Sequence, residues 1–197
     1  MKIAIITHYY RSTNYGGNLQ AYALCKFLND NGYETEQISY CRGETKNTIK
    51  RIALRTIKEP IKVLLNAKNN IFEVGLVLRR NKAVRKFNKE LIPHSREYTD
   101  TTIQESVRNY DVFITGSDQV WHPNAVTPAY RLDFVPKTKT KMSYAASIAM
   151  DSLEDKEIKV LANSLSTYTA ISLRESNLIK TLEYATGKKV YQTLKNK

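Results

Sequence analysis

Four short stretches of this sequence carry side chains that could act together on a ligand. The first is Asn14-Tyr15-Gly16-Gly17, with Gln20 one turn further on. Paired glycines ahead of a helix let backbone N–H groups approach a ligand closely, and helix N-termini favour anions. A simple tight turn is the plain alternative. The second is Gly116-Ser117-Asp118-Gln119-Val120-Trp121, directly after the apolar run Val112-Phe113-Ile114. There Asp118 could serve as a general base and Trp121 could stack on a sugar ring. The alternative is a capping Asp beside a packed Trp. The third is Ser143-Tyr144-Ala145-Ala146-Ser147, whose hydroxyls could bind a ligand or cap a helix. The fourth is Arg174, straight after Ile171-Ser172-Leu173. Its guanidinium suits a bidentate grip on carboxylate or phosphate; a salt bridge to Glu175 is the plainer use.

Other chemistries lack their signatures. Neither the G-x-G-x-x-G dinucleotide fingerprint nor the G-x-x-x-x-G-K-[ST] phosphate loop occurs, so NAD and ATP are not supported and no cofactor is expected. No G-x-S-x-G hydrolase elbow is present. His8, His94 and His122 are far apart and no zinc spacing joins them, so no metal is expected. His8 follows the first apolar run and His122 follows Trp121, so both could line one cleft, whereas His94 reads as surface. Cys25 and Cys41 read as ordinary reduced thiols.

These residues need elements to position them. Ile3–Ile6 is a short continuous apolar run, the pattern of a strand covered on both faces. It is too short for a signal-peptide core, and no run approaches membrane-spanning length, so the chain reads as cytosolic. Leu19 to Leu28 recur with helical spacing until Asn31-Gly32 stops them. Tyr33–Tyr40 alternates as a strand, apolar only at one end, which suggests a place near a sheet edge. Further on, Thr102–Arg108 suggests a short helix, Asp111–Thr115 a buried strand, Tyr130–Val135 and Lys141–Ser147 two more strands, and Glu154–Leu165 a helix. Ala170–Leu173 then suggests a strand and Glu175–Tyr184 a helix closed by Gly187. Strands separated by helices imply an α/β fold with a mostly parallel sheet flanked by helices. In such sheets ligands bind beyond the carboxyl ends of the strands, where all four stretches fall.

The net charge of +12 is concentrated. Arg42 to Arg96 contains fifteen Lys/Arg and four acids, leaving only +1 for the remaining residues. That argues against a nucleic-acid binder as a whole. Apolar residues at Ile49–Ala67, interrupted by Pro60, and at Phe72–Phe87 suggest two amphipathic helices with cationic outer faces, a basic insertion over about 43–92.

Taken in order, Asn14 to Leu24, Thr115 to Trp121, Ser143 to Ser147 and Ile171 to Glu175 resemble the successive motifs of polysaccharide pyruvyl transferases. The resemblance covers nearly the whole chain, and its first two motifs are the more specific. It implies a Rossmann-like domain similar to the N-terminal half of a B-type glycosyltransferase fold. It also implies transfer of pyruvate from phosphoenolpyruvate to a sugar as a ketal. Arg174 would hold the carboxylate or phosphate of the donor, and Asp118 would orient or deprotonate a sugar hydroxyl. Asn14, Gly16, Gly17, Gln20, Ser117, Gln119, Trp121 and Ser147 would line the cleft.

The resemblance further implies a second Rossmann-like half after Lys189-Val190. On this reading residues 1–190 form the N-terminal domain and 191–197 a basic tail, and this polypeptide alone has little transfer activity. The missing wall would come from a separate C-terminal half; a homo-oligomer is the other partnership considered. The family's acceptors, glycans built on lipid carriers, give the basic insertion a second use: contact with anionic lipid at the inner membrane face. Three alternatives stay open. They are a nucleotide-sugar glycosyltransferase-like protein, a non-catalytic half-domain that binds glycan or pairs with another chain, and a nucleic-acid binder using Arg42–Arg96, which has no stacking motif.

Overall fold

The computed structural model describes residues 1–43, 71–124 and 127–193, with the side chains of 71–74 left aside. The expected helix over Ile49–Ala67 and residues 194–197 of the tail lie outside the described residues.

Among the described residues, seven strands and four α-helices follow one another: β1 (Lys2–Ile6), α1 (Tyr15–Asp30), β2 (Glu34–Cys41), α2 (Ile71–Leu91), β3 (His94–Thr99), a 3-10 helix (Ile103–Asn109), β4 (Val112–Gly116), β5 (Thr140–Tyr144), α3 (Asp155–Leu165), β6 (Ile171–Leu173), α4 (Ile179–Thr186) and β7 (Val190–Gln192). All pairings are parallel, in the order β3-β2-β1-β4-β5 and then β6-β7. Bridges at Met142–Ala170 and Ala146–Leu173 carry the surface from β5 to β6. Each parallel neighbour requires a crossover, which is why helices punctuate the chain. The expected α/β class with a mostly parallel sheet is what forms.

The core divides by sheet face. On β1, Ile3 and Ile5 pack with Cys25, Val112 and Ile114 beneath α1. Ala4 and Ile6 point the other way, into a larger cluster with Phe113, Trp121, Leu165 and Leu173. The continuous apolar run of β1 is therefore what a doubly covered central strand needs. The second helix of the basic segment, expected over Phe72–Phe87, is α2, the crossover between β2 and β3.

One expectation is sharpened and another changes. β2 lies near the sheet edge as expected, one strand in from the edge strand β3, and Thr35, Gln37 and Ser39 on it are polar and buried. Part of this polarity is matched by neighbours, although among the described residues Thr35 Oγ1 and Gln37 Oε1 have no partner. Asn29 brackets the Thr35 backbone with two 2.9 Å hydrogen bonds, Gln37 Nε2 donates to Ala21 O at 2.8 Å, and Ser39 Oγ donates to Ser95 O at 3.0 Å. Tyr130–Val135 is not a strand but a run of turns, with Leu132 N donating to Ala129 O and Val135 N to Leu132 O, both at 3.1 Å. Its apolar side chains reach the core without a ladder, since Thr115 Oγ1 and Trp121 Nε1 both donate to Tyr130 O. Two strands escaped the sequence. β3 is mostly polar, and β7 begins at the last residues assigned to the domain and enters the segment expected as tail.

β4 ends at a residue only glycine can occupy. Gly116 has φ +130°, and a Cβ there would lie 2.3 Å from Tyr144 O. Gly187, the left-handed cap of α4, has φ +66° and open space around it. Gly116→Ala is expected to lower stability by at least about 3 kcal/mol, because strain and backbone collision add, whereas Gly187→Ala costs about 1–2 kcal/mol. Urea unfolding of the two variants checks this; equal losses would contradict it.

Candidate functional site

β1 is flanked by β2 on one side and β4 on the other, so the strand order reverses there. The crevice beyond the carboxyl ends of β1 and β4 is where such sheets bind ligands. Thr7 and His8 leave β1 at this point, Ser117 and Asp118 leave β4, and α1 begins opposite.

Asn14 starts α1. Its side-chain oxygen accepts from Gly16 N at 3.0 Å and Gly17 N at 3.5 Å, so this carboxamide works as a helix cap. Gly17 then presses into the switch point. A Cβ on it would lie 3.0 Å from His8 O and 3.2 Å from Asp118 Oδ2. This close approach joins the first motif to the second, and a side chain at residue 17 would occupy the space beside Asp118. Gly16 is exposed and Gln20 half-buried on the same turn.

Asp118 is half-buried, and its Oδ1 accepts from Gln119 N at 2.8 Å. Its Oδ2 faces α1. Before it, Ser117 holds a left-handed φ of 59° and its buried Oγ has no partner. Gln119 is exposed. His8 stacks against Tyr130, with ring centroids 4.1 Å apart, and its Nε2 is buried without a partner. Burial pushes the His8 pKa below its ordinary value, while the Asp118 charge and the Gln119 backbone pull it back up.

Arg174 reaches across from β6. Its N–H donates to Ala146 O at 2.9 Å and its Nη2 to Ser117 O at 2.7 Å. The anticipated salt bridge to Glu175 does not form, and Arg174 has no acid partner among the described residues. Its remaining donors are thus open to an anion. Glu175 turns the other way: its Oε1 accepts from the Ser147 hydroxyl and, at 3.0 Å, from Ala149 N, while its buried Oε2 has no partner. Ser147 is buried and wired through its backbone to the second motif. Its N–H donates to Asp118 O at 2.9 Å and its carbonyl accepts from Trp121 N at 3.1 Å. Ser147 therefore braces the rim instead of offering a free hydroxyl. Ser143 is likewise engaged, donating to Ser172 O at 3.1 Å and accepting from Ser172 N at 2.8 Å.

Trp121 corrects the stacking expectation. It is 2% exposed, lies edge-on to Tyr168 and donates to Tyr130 O, so no ring face is left for a sugar. The plainer reading, a packed Trp, holds. His94 is exposed, as expected, although it opens β3. Burial pushes the Cys25 thiol up to about 11, and its Sγ donates to Thr35 O, which suits an inert core thiol. Among the described residues no three His, Cys, Asp or Glu gather to hold a metal.

The structure thus brings Gly17, Asp118, Ser117 and Arg174 to one rim, with Asn14 and Ser147 in supporting places. The sequence understated Glu175, treating it only as a partner for Arg174. It noted His8 without seeing how tightly it abuts the Gly17 turn. The sign available was position: both residues directly follow a buried strand.

An α/β domain with an all-parallel sheet and polar groups gathered at its switch point is of Rossmann-like type. Residues 14–194 match the family described as "Polysaccharide pyruvyl transferase", and the chain belongs to that family. The match takes in all four motifs and leaves out β1, Thr7 and His8. No curated protein matches the sequence.

Two measurements follow from this geometry. His8 has a lowered folded pKa, so the unfolded chain binds its proton more readily, and stability falls as pH drops through the unfolded value of about 6.5. His8→Gln should flatten the stability slope between about pH 5 and 7; an unchanged slope would contradict the buried imidazole. Trp121 is the single tryptophan, so its emission reports on one site. Blue-shifted emission resistant to acrylamide is expected, and Trp121→Ala should cost about 3–5 kcal/mol in urea. Ready quenching would place the ring at the surface.

Proposed function

We propose that the rim beyond β1, β4 and β6 holds phosphoenolpyruvate beside a sugar hydroxyl, and that pyruvate is transferred to a surface glycan as a ketal. Family membership supports the transferase class; the donor and the ketal chemistry are this reading's own. The observation that carries it is Arg174: a half-buried guanidinium with spare donors and no acid partner among the described residues, tied through Ser117 to the strand end that presents Asp118.

The steps balance without a redox partner. A sugar hydroxyl oxygen bonds to the enol carbon of phosphoenolpyruvate, the methylene carbon gains a proton and the hydroxyl proton is released. A second hydroxyl of the same sugar then displaces phosphate, so one donor and one diol give a ketal and inorganic phosphate. Arg174 grips a donor anion, with the α1 N-terminus at Gly16-Gly17 alongside. Asp118 accepts the hydroxyl proton, and a partly buried carboxylate suits that role. Gln20, Ser117 and Gln119 offer hydrogen bonds to donor or acceptor, while Asn14 and Ser147 hold the turn and the rim. On this reading these residues form one wall of the cleft. The acid that protonates the methylene carbon belongs to a second Rossmann-like half, and the acceptor glycan is assembled in the cytoplasm.

The test is phosphate release from phosphoenolpyruvate in the presence of glycan, using the assembled enzyme that carries this domain. Arg174→Ala should raise the KM for phosphoenolpyruvate about 30- to 1,000-fold, as loss of a charged anchor does, with Arg174→Lys intermediate. Asp118→Asn should lower kcat about 10²- to 10⁴-fold with little change in KM. Turnover of a nucleotide sugar in place of phosphoenolpyruvate would overturn the assignment.

A further inference from the structure

The transferase reading leaves one surface without a task. On α2, Val84 is buried, Phe87 lies edge-on to Tyr22 with centroids 5.4 Å apart, and Asn88 Nδ2 donates to Asn18 Oδ1 at 3.1 Å. These contacts fix which face of the helix looks outward. Arg79, Lys82, Arg85, Lys86 and Lys89 are all exposed. At 3.6 residues per turn they fall within an arc of about 120°, opposite Val84, and extend about 15 Å along the axis. Against them stands Glu90 at the edge of the arc, 3.9 Å from Lys86; among the described residues no other acid pairs with these five cations. Leu78 falls inside the same arc and is 49% exposed.

We propose that this face of α2 docks on an anionic phospholipid membrane. A row of five cations with a single acid at its edge attracts a negative surface, and each Lys or Arg near such a surface adds a similar increment of attraction. The exposed Leu78 decides between anionic partners. An apolar side chain among cations gains by entering the headgroup region and gains nothing against a phosphate backbone. The aromatic ring on the described part of the helix, Phe87, is turned towards α1, so the face has no stacking platform for bases. As the crossover between β2 and β3, α2 presents this face on the flank of the sheet. The rim at the strand ends stays open while the flank is seated, and the proposal stands whether or not the transferase reading does.

Flotation with phosphatidylcholine vesicles, with and without phosphatidylglycerol, is the direct test, with a charge-matched DNA duplex titrated in parallel. Binding is expected only to the phosphatidylglycerol vesicles, weakening at high salt. Each cation neutralised should reduce partitioning about fivefold, so Lys82→Gln/Arg85→Gln/Lys86→Gln/Lys89→Gln should remove it. Because those side chains are exposed, the variant should keep its thermal midpoint. Lys82→Arg/Lys86→Arg/Lys89→Arg should bind as the parent does, and Leu78→Ser should bind more weakly at equal charge. No binding to phosphatidylglycerol, binding that survives the fourfold neutralisation, or a duplex bound more tightly than the vesicles would each overturn the proposal.

Discussion

The rim depends on the meeting of Gly17 with His8 O and Asp118 Oδ2 at the point where strand order reverses. α1 must start near the ends of β1 and β4 to cover Ile3 and Ile5, and it must also leave the Asp118 carboxylate its space. A residue with no Cβ satisfies both demands. The Asn14 cap supplies the helix start that puts Gly17 there, so local capping, core coverage and site geometry share one turn.

The rest of the rim is held by backbone that would not choose its conformation alone. Ser117, Ala145 and Ala149 take positive φ angles of 59°, 47° and 54°, and Arg11, after β1, takes 57°. Such residues cost of order 1–3 kcal/mol each and persist where neighbours over-determine them. The neighbours here are specific. Ser147 spans Asp118 and Trp121 by backbone bonds, Glu175 ties Ser147 to Ala149, and Arg174 holds the Ser117 carbonyl. Arg11 is paired with Glu97 at 2.6 Å, while Tyr10 OH donates to the same carboxylate, pinning the loop after β1 to β3. Residues from the second, third and fourth motifs form one braced unit, which accounts for buried hydroxyls that serve the frame and not a ligand.

Charge and chemistry are separated in space. The strongly basic character of the chain gathers in the segment between β2 and β3, whereas at the rim Arg174 has no acid partner among the described residues and is tied to the strand end that presents Asp118. No helix among the described residues is long and apolar enough to cross a membrane. Among the described residues, the cations of α2 share one helix face away from the rim, and a few named groups set the site's electrostatics.

The sequence by itself determined the elements whose signals are local. β1 and β4 are continuous apolar runs, α1 follows its glycine pair with helical spacing until Asn31-Gly32, and Gly187 ends α4. It also determined the four motifs, since each follows a strand end in the chain. Tertiary structure decided what depends on distant partners. The polar residues of β2 are buried because β3 flanks it and Asn29, Ala21 and Ser95 meet part of its hydrogen bonding, and Tyr130–Val135 looks like a strand until its backbone closes into turns. Trp121 and Ser147 look like ligand contacts until the core and Glu175 claim them. Whether a side chain is free or spent is a property of what packs against it, and residues far apart in the chain supply that packing.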